Sequence, residues 1–393
     1  MKAKSYIYII FFSIFCSVYL FEFTFEFFKP SKLLSNLDPN YDYRSKIEVI
    51  EDFQKSGTEV YPNTFPNLFI ESDGLIHNNN KIYPLSTVSN KKVLWCKENG
   101  FWLSYKTDQY GFNNPPEVYK DKIDIILTGD SFAEGACVLP NQNIASNLNK
   151  NNIIAVSIGK GSNGPLTEYA ALREYAVHLK PKIVLWVYYV NDLKDLQSEL
   201  KSNFLKNYLI DDEFSQNLIK RQNEIDTSIL KYMKTQLENL KNENSFKNRI
   251  KNVLILNRTN KFINRSLRQS SYVKTNNKEY NINESLEGFK KIIKKADNLV
   301  SNWGGKMYFV YLPSYTSYAS NIEDKNRLKI LKIINELKIE LIDIHEEVFK
   351  NHQDPLSLFP YRINNHYNPE GYKLLSDAIF EKIVDNQRQT NFN

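Results

Sequence analysis

The 393-residue sequence has few of the residues that build metal and redox sites. It contains three cysteines and five histidines, and none of them stand at the close spacing of a zinc-binding motif. Glycine is also scarce, at 13 residues, and neither a phosphate-binding loop nor a dinucleotide fingerprint occurs. We therefore expect no metal and no cofactor, which disfavours nucleotide-dependent and metal-dependent enzymes.

The sequence also lacks a strong excess of charge of one sign. It has 51 basic and 45 acidic residues, for a net charge of +6. A nucleic-acid-binding domain usually carries a clear basic excess on one face, so we expect no nucleic-acid partner. Hydrophobic residues at 42% and charged residues at 24% are typical of a globular protein.

One apolar run stands apart from the rest of the chain. Lys2 and Lys4 precede the uncharged run 6–21, and Glu22 follows it. This pattern predicts an export signal or a single membrane anchor. Because no small-residue cleavage site follows the run, we interpret residues 1–30 as an uncleaved anchor, with the body on the periplasmic or extracellular face. A cleaved signal peptide, and hence a secreted protein, stays open.

The body of the chain contains two cysteines, Cys96 and Cys137, since Cys16 lies in the apolar run. In an exported protein two such thiols can pair. Two separate buried cysteines are the alternative, and the sequence leaves both open.

Residues 31–120 are rich in short apolar runs, proline, asparagine and aromatic residues. Asn99 and Gly100 stand between two such runs, a pattern that predicts a β-hairpin. We expect a small β-rich lead-in that packs on the main domain.

From residue 121 onward, buried strands alternate with helical segments. The pattern predicts strands at 123–127, 153–158, 183–189, 307–312 and 339–344, and helices at about 141–149, 165–178, 285–302, 323–337 and 369–384. Strands that alternate with helices indicate a parallel sheet covered on both faces. We therefore predict that residues 121–393 form a three-layer, flavodoxin-like α/β domain.

A helical insertion at about residues 195–283 interrupts this pattern. Ile229, Met233, Leu237 and Leu240 stand at helical spacing, which indicates an amphipathic helix. The insertion is either a surface elaboration or a lid over the carboxyl edge of the sheet.

The segment Gly129–Phe132, with the sequence Gly-Asp-Ser-Phe, directly follows the first predicted strand. Ser131 therefore lies at the carboxyl edge of the sheet, where ligands of such folds bind. Turn formation and helix capping are the alternative roles of this tetrapeptide.

A serine nucleophile needs a base, which is usually histidine. Among the five histidines, His366 lies in a turn just before a helix that starts with Pro369. A loop histidine at that edge can reach a serine on a neighbouring loop.

Acyl transfer also needs hydrogen-bond donors for an oxyanion. The second strand leads into the glycine-rich turn 159–165, whose backbone N–H groups can point at a ligand. Asn191 follows the third strand and offers a side-chain amide, with helix capping as its alternative role.

Taken together, these four segments resemble the four sequence blocks of the SGNH/GDSL hydrolases, in that family's order. The segments 105–115 and 185–189 are also similar to a bacterial, membrane-anchored subgroup associated with surface glycans. The resemblance covers about residues 120–195 and 306–386. It implies the fold predicted above and an enzyme that acts on ester bonds.

By this resemblance Ser131 is the nucleophile, and its N–H is one oxyanion donor. His366 is the general base, and Asn191 is the side-chain donor. The remaining donor belongs to the region of Gly161 and Ser162, where Ser162 replaces the family's glycine.

The chain departs from the family before the histidine. The family usually has an aspartate two or three residues upstream to orient the ring, but Asn364 and Ile363 stand there. Asn364 is a candidate orienter, and a backbone carbonyl is another. The sequence therefore predicts a Ser-His dyad of low activity.

We expect a serine esterase or O-acyltransferase that acts on O-acyl groups, with acetyl the expected group, of a cell-surface polysaccharide. Its partners are then an acylated glycan or other ester substrate, and the membrane. A catalytically degenerate glycan-binding or assembly protein and a lipase-type hydrolase are the alternatives.

Overall fold

The computed structural model describes residues 2–27, 40–243, 245–261, 263–264, 282–320 and 324–391. These residues form two compact units. The helical unit comprises residues 1–52 and 234–281, and the sheet unit comprises residues 53–233 and 282–393. Parts of the predicted anchor, lead-in and insertion, at 28–39 and 265–281, lie outside the described residues.

The sheet unit contains ten strands among its described residues. They are β1 (Val60–Pro62), β2 (Leu75–His77), β3 (Asn80–Ile82), β4 (Lys92–Leu94), β5 (Ser104–Lys106), β6 (Ile125–Gly129), β7 (Ala155–Ser157), β8 (Ile183–Tyr188), β9 (Lys306–Tyr311) and β10 (Glu340–Asp343).

The last five strands form one parallel sheet in the order β10-β9-β8-β6-β7. Counted from β6, this is the order 5-4-3-1-2 that is typical of flavodoxin-like folds. Each of the five predicted strand ranges overlaps one of these strands, so the predicted fold class is confirmed.

The main helices of the two units are α1 (Lys2–Phe27), α2 (Lys46–Lys55), α3 (Ser131–Glu134), α4 (Ile144–Asn149), α5 (Pro165–Ala171), α6 (Asp192–Glu199), α7 (Asn203–Ile210), α8 (Gln222–Glu243), α9 (Phe246–Leu254), α10 (Ile282–Asn302), α11 (Tyr315–Ala319), α12 (Arg327–Glu336) and α13 (Pro369–Asn391). In the predicted insertion, Ile229 and Met233 of α8 are fully buried and Leu237 nearly so, as the amphipathic pattern predicts.

Successive residues of the sheet strands enter two separate cores. Ile126 packs into the core that includes α5, α10 and α12, whereas Ile125 and Leu127 pack into the core that includes α4 and α13. This alternation follows from the two-residue period of a strand. Helices therefore cover both faces of the sheet, which gives the three layers.

The lead-in is attached to the edge strand of this sheet. The Asn114 side chain accepts a hydrogen bond from Ser157 N (2.8 Å) and donates one to Ser157 O (2.8 Å), as a neighbouring strand would. The predicted hairpin is present, since β4 and β5 pair antiparallel around Gly100. The disulfide between Cys96, which lies between these two strands, and Cys137 links the hairpin to the main domain.

In the helical unit, α1 is long and apolar enough to cross a membrane. The stretch Tyr6–Phe27 spans 22 residues and contains an 18-residue window with a mean hydropathy of 1.9, of which little is buried. A membrane anchor and a signal sequence both satisfy this criterion.

Candidate active site

The serine turn is built by tight packing at the end of β6. Gly129 has a φ of 151°, and a Cβ there would lie 2.7 Å from the Val187 carbonyl oxygen. The Asp130 carboxylate caps α3 by accepting a hydrogen bond from Phe132 N at 2.9 Å. Ser131 is thus the first residue of α3, and its N–H has no acceptor among the described residues.

His366 lies within hydrogen-bonding distance of this serine. Its Nε2 is 2.8 Å from Ser131 Oγ, and the Phe132 ring packs against the imidazole with a centroid separation of 4.9 Å. Asn368 fixes the end of the loop, because its Oδ1 accepts from Gly371 N (3.0 Å) in the first turn of α13. The structure therefore brings together Ser131 and His366, the nucleophile and base that the sequence predicts.

The second ring nitrogen of His366 is held by Glu98. Nδ1 lies 3.0 Å from Glu98 Oε1 and 2.9 Å from Oε2, and the His366 backbone N–H donates to Oε2 at 2.9 Å. The sequence predicts Asn364 or a backbone carbonyl in the orienting position, but in the structure Glu98 occupies it. Ser131, His366 and Glu98 form a triad rather than a dyad.

Glu98 meets the electrostatic requirement of this position. Burial raises the pKa of its carboxyl, but hydrogen bonds and charge attraction from His366 outweigh burial and hold the pKa below its ordinary value. The carboxylate is therefore ionised at neutral pH. An ionised partner fixes the tautomer of the imidazole and stabilises its protonated form during proton transfer.

A disulfide lies directly beside this triad. Cys96 and Cys137 are bonded, which answers the question that the sequence left open. The Cys137 sulfur and one ligand atom each of Glu98 and His366 lie within 4.8 Å of one another. Metals bind thiolates, whereas this sulfur is oxidised in the disulfide. We therefore interpret the proximity of Cys137 to Glu98 and His366 as side-chain packing rather than a metal site. Asn99 adds a second link by donating to Cys137 O at 2.7 Å.

One of the two predicted donors of the glycine-rich turn is already hydrogen-bonded within the protein. Gly161 N donates to Glu134 Oε2 at 2.6 Å, so this N–H is already used. Ser162 adopts a φ of 60° at the third position of the turn closed by Asn163 N and Lys160 O. That position normally favours glycine. The Ser162 N–H has no acceptor among the described residues, which favours it over Gly161 as an oxyanion donor.

A buried ion pair supports this turn. Lys160 and Glu134 are both fully buried and hydrogen-bonded to each other. Glu134 Oε1 also accepts from Asn63 Nδ2 (3.0 Å) and Tyr105 Oη (2.5 Å), two residues of the lead-in. The lead-in therefore contributes to the site at two points. Its Glu98 contacts His366, and its Asn63 and Tyr105 contact Glu134, which supports the glycine-rich turn.

Asn191 lies at the same edge but donates to a carboxylate. Its Nδ2 is 2.6 Å from Asp195 Oδ2, and its side chain does not cap α6. Burial raises the pKa of Asp130, the neighbour of Ser131, and a hydrogen bond from Asn191 is among the contacts that offset part of this rise. Donation to an oxyanion would require the amide to exchange one of these carboxylates for the substrate oxygen.

Several acidic groups are buried beneath the site. Burial raises the pKa of Asp195 to about 6 and that of Glu199 to about 7. It also raises the pKa values of Glu168 and Asp192 well above the ordinary range. Burial therefore favours the uncharged form of each of these carboxyls.

No protein-family model matches the chain, and no curated protein sequence does either. The chain does superpose on solved structures of low sequence identity. A lipolytic protein of the G-D-S-L family from Desulfitobacterium hafniense DCB-2 is 13% identical, with a TM-score of 0.35 over 65% of this chain and 97% of that chain.

Two esterases show a similar degree of overlap. An acetyl xylan esterase is 12% identical, with a TM-score of 0.37 over 66% of this chain and 100% of that chain. A two-domain esterase active on acetylated mannans is 11% identical, with a TM-score of 0.36 over 67% of this chain and 49% of that chain. The chain is thus similar, at low identity, to a GDSL-family lipolytic protein and to two esterases.

Proposed function

We propose that this chain is a membrane-tethered serine esterase or O-acyltransferase of the SGNH type. The observation that supports the proposal most directly is the geometry of His366, which lies 2.8 Å from Ser131 Oγ on one side and contacts both oxygens of Glu98 on the other. A serine, a histidine and a carboxylate in this order are the groups that nucleophilic acyl transfer requires.

In the first half-reaction, Ser131 Oγ attacks the carbonyl carbon of an ester while its proton passes to His366 Nε2. The carbonyl oxygen becomes an oxyanion, for which the N–H groups of Ser131 and Ser162 and the amide of Asn191 are the candidate donors. His366 then gives its proton to the departing alcohol as the C–O bond breaks. The products are a free alcohol and an acyl group on Ser131.

In the second half-reaction, an acceptor hydroxyl attacks the acyl-enzyme. His366 takes the proton of the acceptor, and the bond between the acyl carbon and Ser131 Oγ breaks. His366 finally returns a proton to Ser131. Water as acceptor gives hydrolysis, whereas a sugar hydroxyl gives transfer, and the same protein groups serve both outcomes.

The proposed substrate is an O-acetylated polysaccharide at the cell surface. This part of the proposal rests on the resemblance of segments 105–115 and 185–189 to a glycan-associated subgroup. It also rests on α1, which we propose to anchor the chain with its body outside the cytoplasm.

A catalytically degenerate protein was an alternative because no aspartate precedes His366. Glu98 removes the reason for that alternative, since it provides a carboxylate at the ring. We therefore favour an active enzyme.

Covalent trapping tests the proposal. A fluorophosphonate should label the full-length protein in detergent and should fail to label Ser131→Ala. Ser162→Ala is the matched control, because it removes a nearby hydroxyl without removing a backbone N–H, and it should label normally. Labelling that persists in Ser131→Ala would refute the acyl-enzyme.

Turnover of acetyl and long-chain nitrophenyl esters then distinguishes an acetylesterase from a lipase. Preference for the long chain would favour the lipase alternative. Hydrolysis in the presence of acetylated and unacetylated oligosaccharides separates transfer to a sugar from transfer to water.

A further inference from the structure

Within the helical unit, two acidic residues near the end of α1 accept hydrogen bonds from other protein groups. Glu22 is only 1% exposed, and its Oε1 accepts the backbone N–H groups of Arg258 (2.7 Å) and Thr259 (3.1 Å). These N–H groups belong to the first turn of a helical stretch at 257–261. Glu26 Oε2 pairs with Arg258 Nε at 2.9 Å. Because protein groups donate hydrogen bonds to both carboxylates, the apolar surface of α1 can continue to its last residue.

Helix α9 meets α1 at this end and leaves an apolar stripe exposed. Phe246, Ile250 and Leu254 follow one another at four-residue spacing and are 69%, 40% and 65% exposed. Residues at this spacing share one face of a helix. The Phe246 ring also contacts the Phe27 ring of α1, with centroids 5.8 Å apart. The exposed stripe therefore begins where the apolar surface of α1 ends.

The same segment is strongly basic. Residues 245–264 contain no acidic residue and five basic ones, namely Lys247, Arg249, Lys251, Arg258 and Lys261. Two of the five, Arg249 and Arg258, hydrogen-bond to Glu26 of α1. Lys247 and Lys251 are exposed on α9. An apolar stripe flanked by basic residues is the pattern of a helix that lies at the surface of a membrane with anionic lipids.

We infer that α9 lies in the interface of the lipid bilayer, beside the point where α1 leaves it. Phe246, Ile250 and Leu254 enter the acyl boundary, and Lys247 and Lys251 contact anionic headgroups. This inference rests on the proposed role of α1 as an anchor. It gives part of the insertion a membrane-binding function and makes α1 a retained element, since α9 and the stretch after it depend on Glu22 and Glu26 for contacts.

Fluorescent labelling of the full-length protein in vesicles tests the inference. Cys16 is the free cysteine of the described residues, and it lies exposed on α1. Labelled with an environment-sensitive dye, Cys16 reports on the anchor alone. Ile250→Cys in a Cys16→Ser background reports on α9, and Leu328→Cys, which replaces an exposed leucine of the sheet unit, is the matched control.

In vesicles of phosphatidylcholine and phosphatidylglycerol, we expect labels at 16 and 250 to be shielded from iodide and quenched by a lipid-borne nitroxide. The label at 328 should show the opposite behaviour. Lys247→Glu with Lys251→Glu should increase iodide access at position 250, whereas Lys329→Glu with Lys332→Glu, on α12, should not.

Iodide access at position 250 together with a shielded position 16 would overturn the inference and leave the anchor intact. Iodide access at both positions would refute the anchor itself. A label at 250 that is shielded from iodide but not quenched by the nitroxide would show that a protein covers the stripe, which also overturns the inference.

Discussion

Glu98 and His366 are 268 residues apart in the chain, yet they share contacts at both Nδ1 and the backbone N–H of the histidine. The acid of the candidate triad thus comes from a hairpin of the lead-in, and the nucleophile and the base come from the main domain. The lead-in therefore contributes a residue to the candidate site.

We predict that Glu98→Gln lowers kcat by about 10³-fold to 10⁴-fold, because the amide cannot fix the productive tautomer of His366 or stabilise its charged form. Ester hydrolysis measured together with thermal unfolding checks this. Asn364→Ala is the control, since the structure removes Asn364 from the orienting role, and it should retain near wild-type activity. Equal losses in the two variants would contradict the assignment.

We predict that the disulfide positions Glu98 as well as stabilising the fold. It closes a loop of 41 residues, so replacing Cys96 and Cys137 by alanine should lower the free energy of unfolding by about 4 kcal/mol. It should also lower kcat about tenfold or more, because small displacements of catalytic groups are costly.

A double-mutant cycle separates these two effects of the disulfide. In a Glu98→Gln background, loss of the disulfide should destabilise the fold equally but cause little further loss of kcat. If kcat falls by the same factor in both backgrounds, the disulfide has only a structural role.

We predict that Asn191→Ala lowers kcat by about 10²-fold to 10³-fold with little change in KM, as expected for loss of an oxyanion donor. Ser162→Gly should keep activity, because the proposed donor is a backbone N–H and glycine tolerates the φ of 60° at this position. Steady-state kinetics of the two variants check both statements. A large loss of kcat in Ser162→Gly would indicate that the side chain takes part.

We predict that Glu199 makes the sheet unit less stable as the pH rises. The pKa of this carboxyl is about 7 in the folded protein and near 4.5 when unfolded. The folded state therefore binds the proton more tightly, which favours folding below pH 4.5. This contribution to the free energy of unfolding, up to about 3 kcal/mol, is present below pH 4.5 and is lost as the pH rises through about 7.

Glu199→Gln tests this pH dependence through chemical denaturation between pH 4.5 and 8. In the wild-type protein, Glu199 Oε1 accepts from Gly164 N (2.7 Å) and Glu199 Oε2 accepts from Leu166 N (2.9 Å). Because the substitution alters these hydrogen bonds, it also changes the free energy of unfolding by an amount that does not vary with pH. The variant should have a flatter profile than wild type. Glu213→Gln, at an exposed position, should keep the wild-type profile, and an unchanged profile in Glu199→Gln would contradict the prediction.

The sequence predicts the parts of the fold that depend on short, local patterns of apolar and polar residues. Each buried strand is a short apolar run, and each helix has its own periodicity, so all five strands of the main sheet follow from the chain alone. Ser131 and His366 are similarly marked, since one follows a strand and the other precedes a proline-started helix.

Glu98 has no such local mark, because a glutamate in a hairpin is usually exposed. The cysteine pair was the available signal: a bond between Cys96 and Cys137 places residue 98 near the segment that begins with Ser131. The sequence left that bond open, and with it the third member of the triad.

The amino-acid sequence by itself determined the layered α/β fold and the apolar N-terminal helix, and it singled out Ser131 and His366 as the candidate nucleophile and base. Only the tertiary structure decided which carboxylate contacts His366, that the Gly161 N–H is already hydrogen-bonded, and that α9 contacts α1. Local patterns encode elements because hydrophobic burial follows the period of a helix or strand, whereas contacts between distant residues depend on how the finished elements pack.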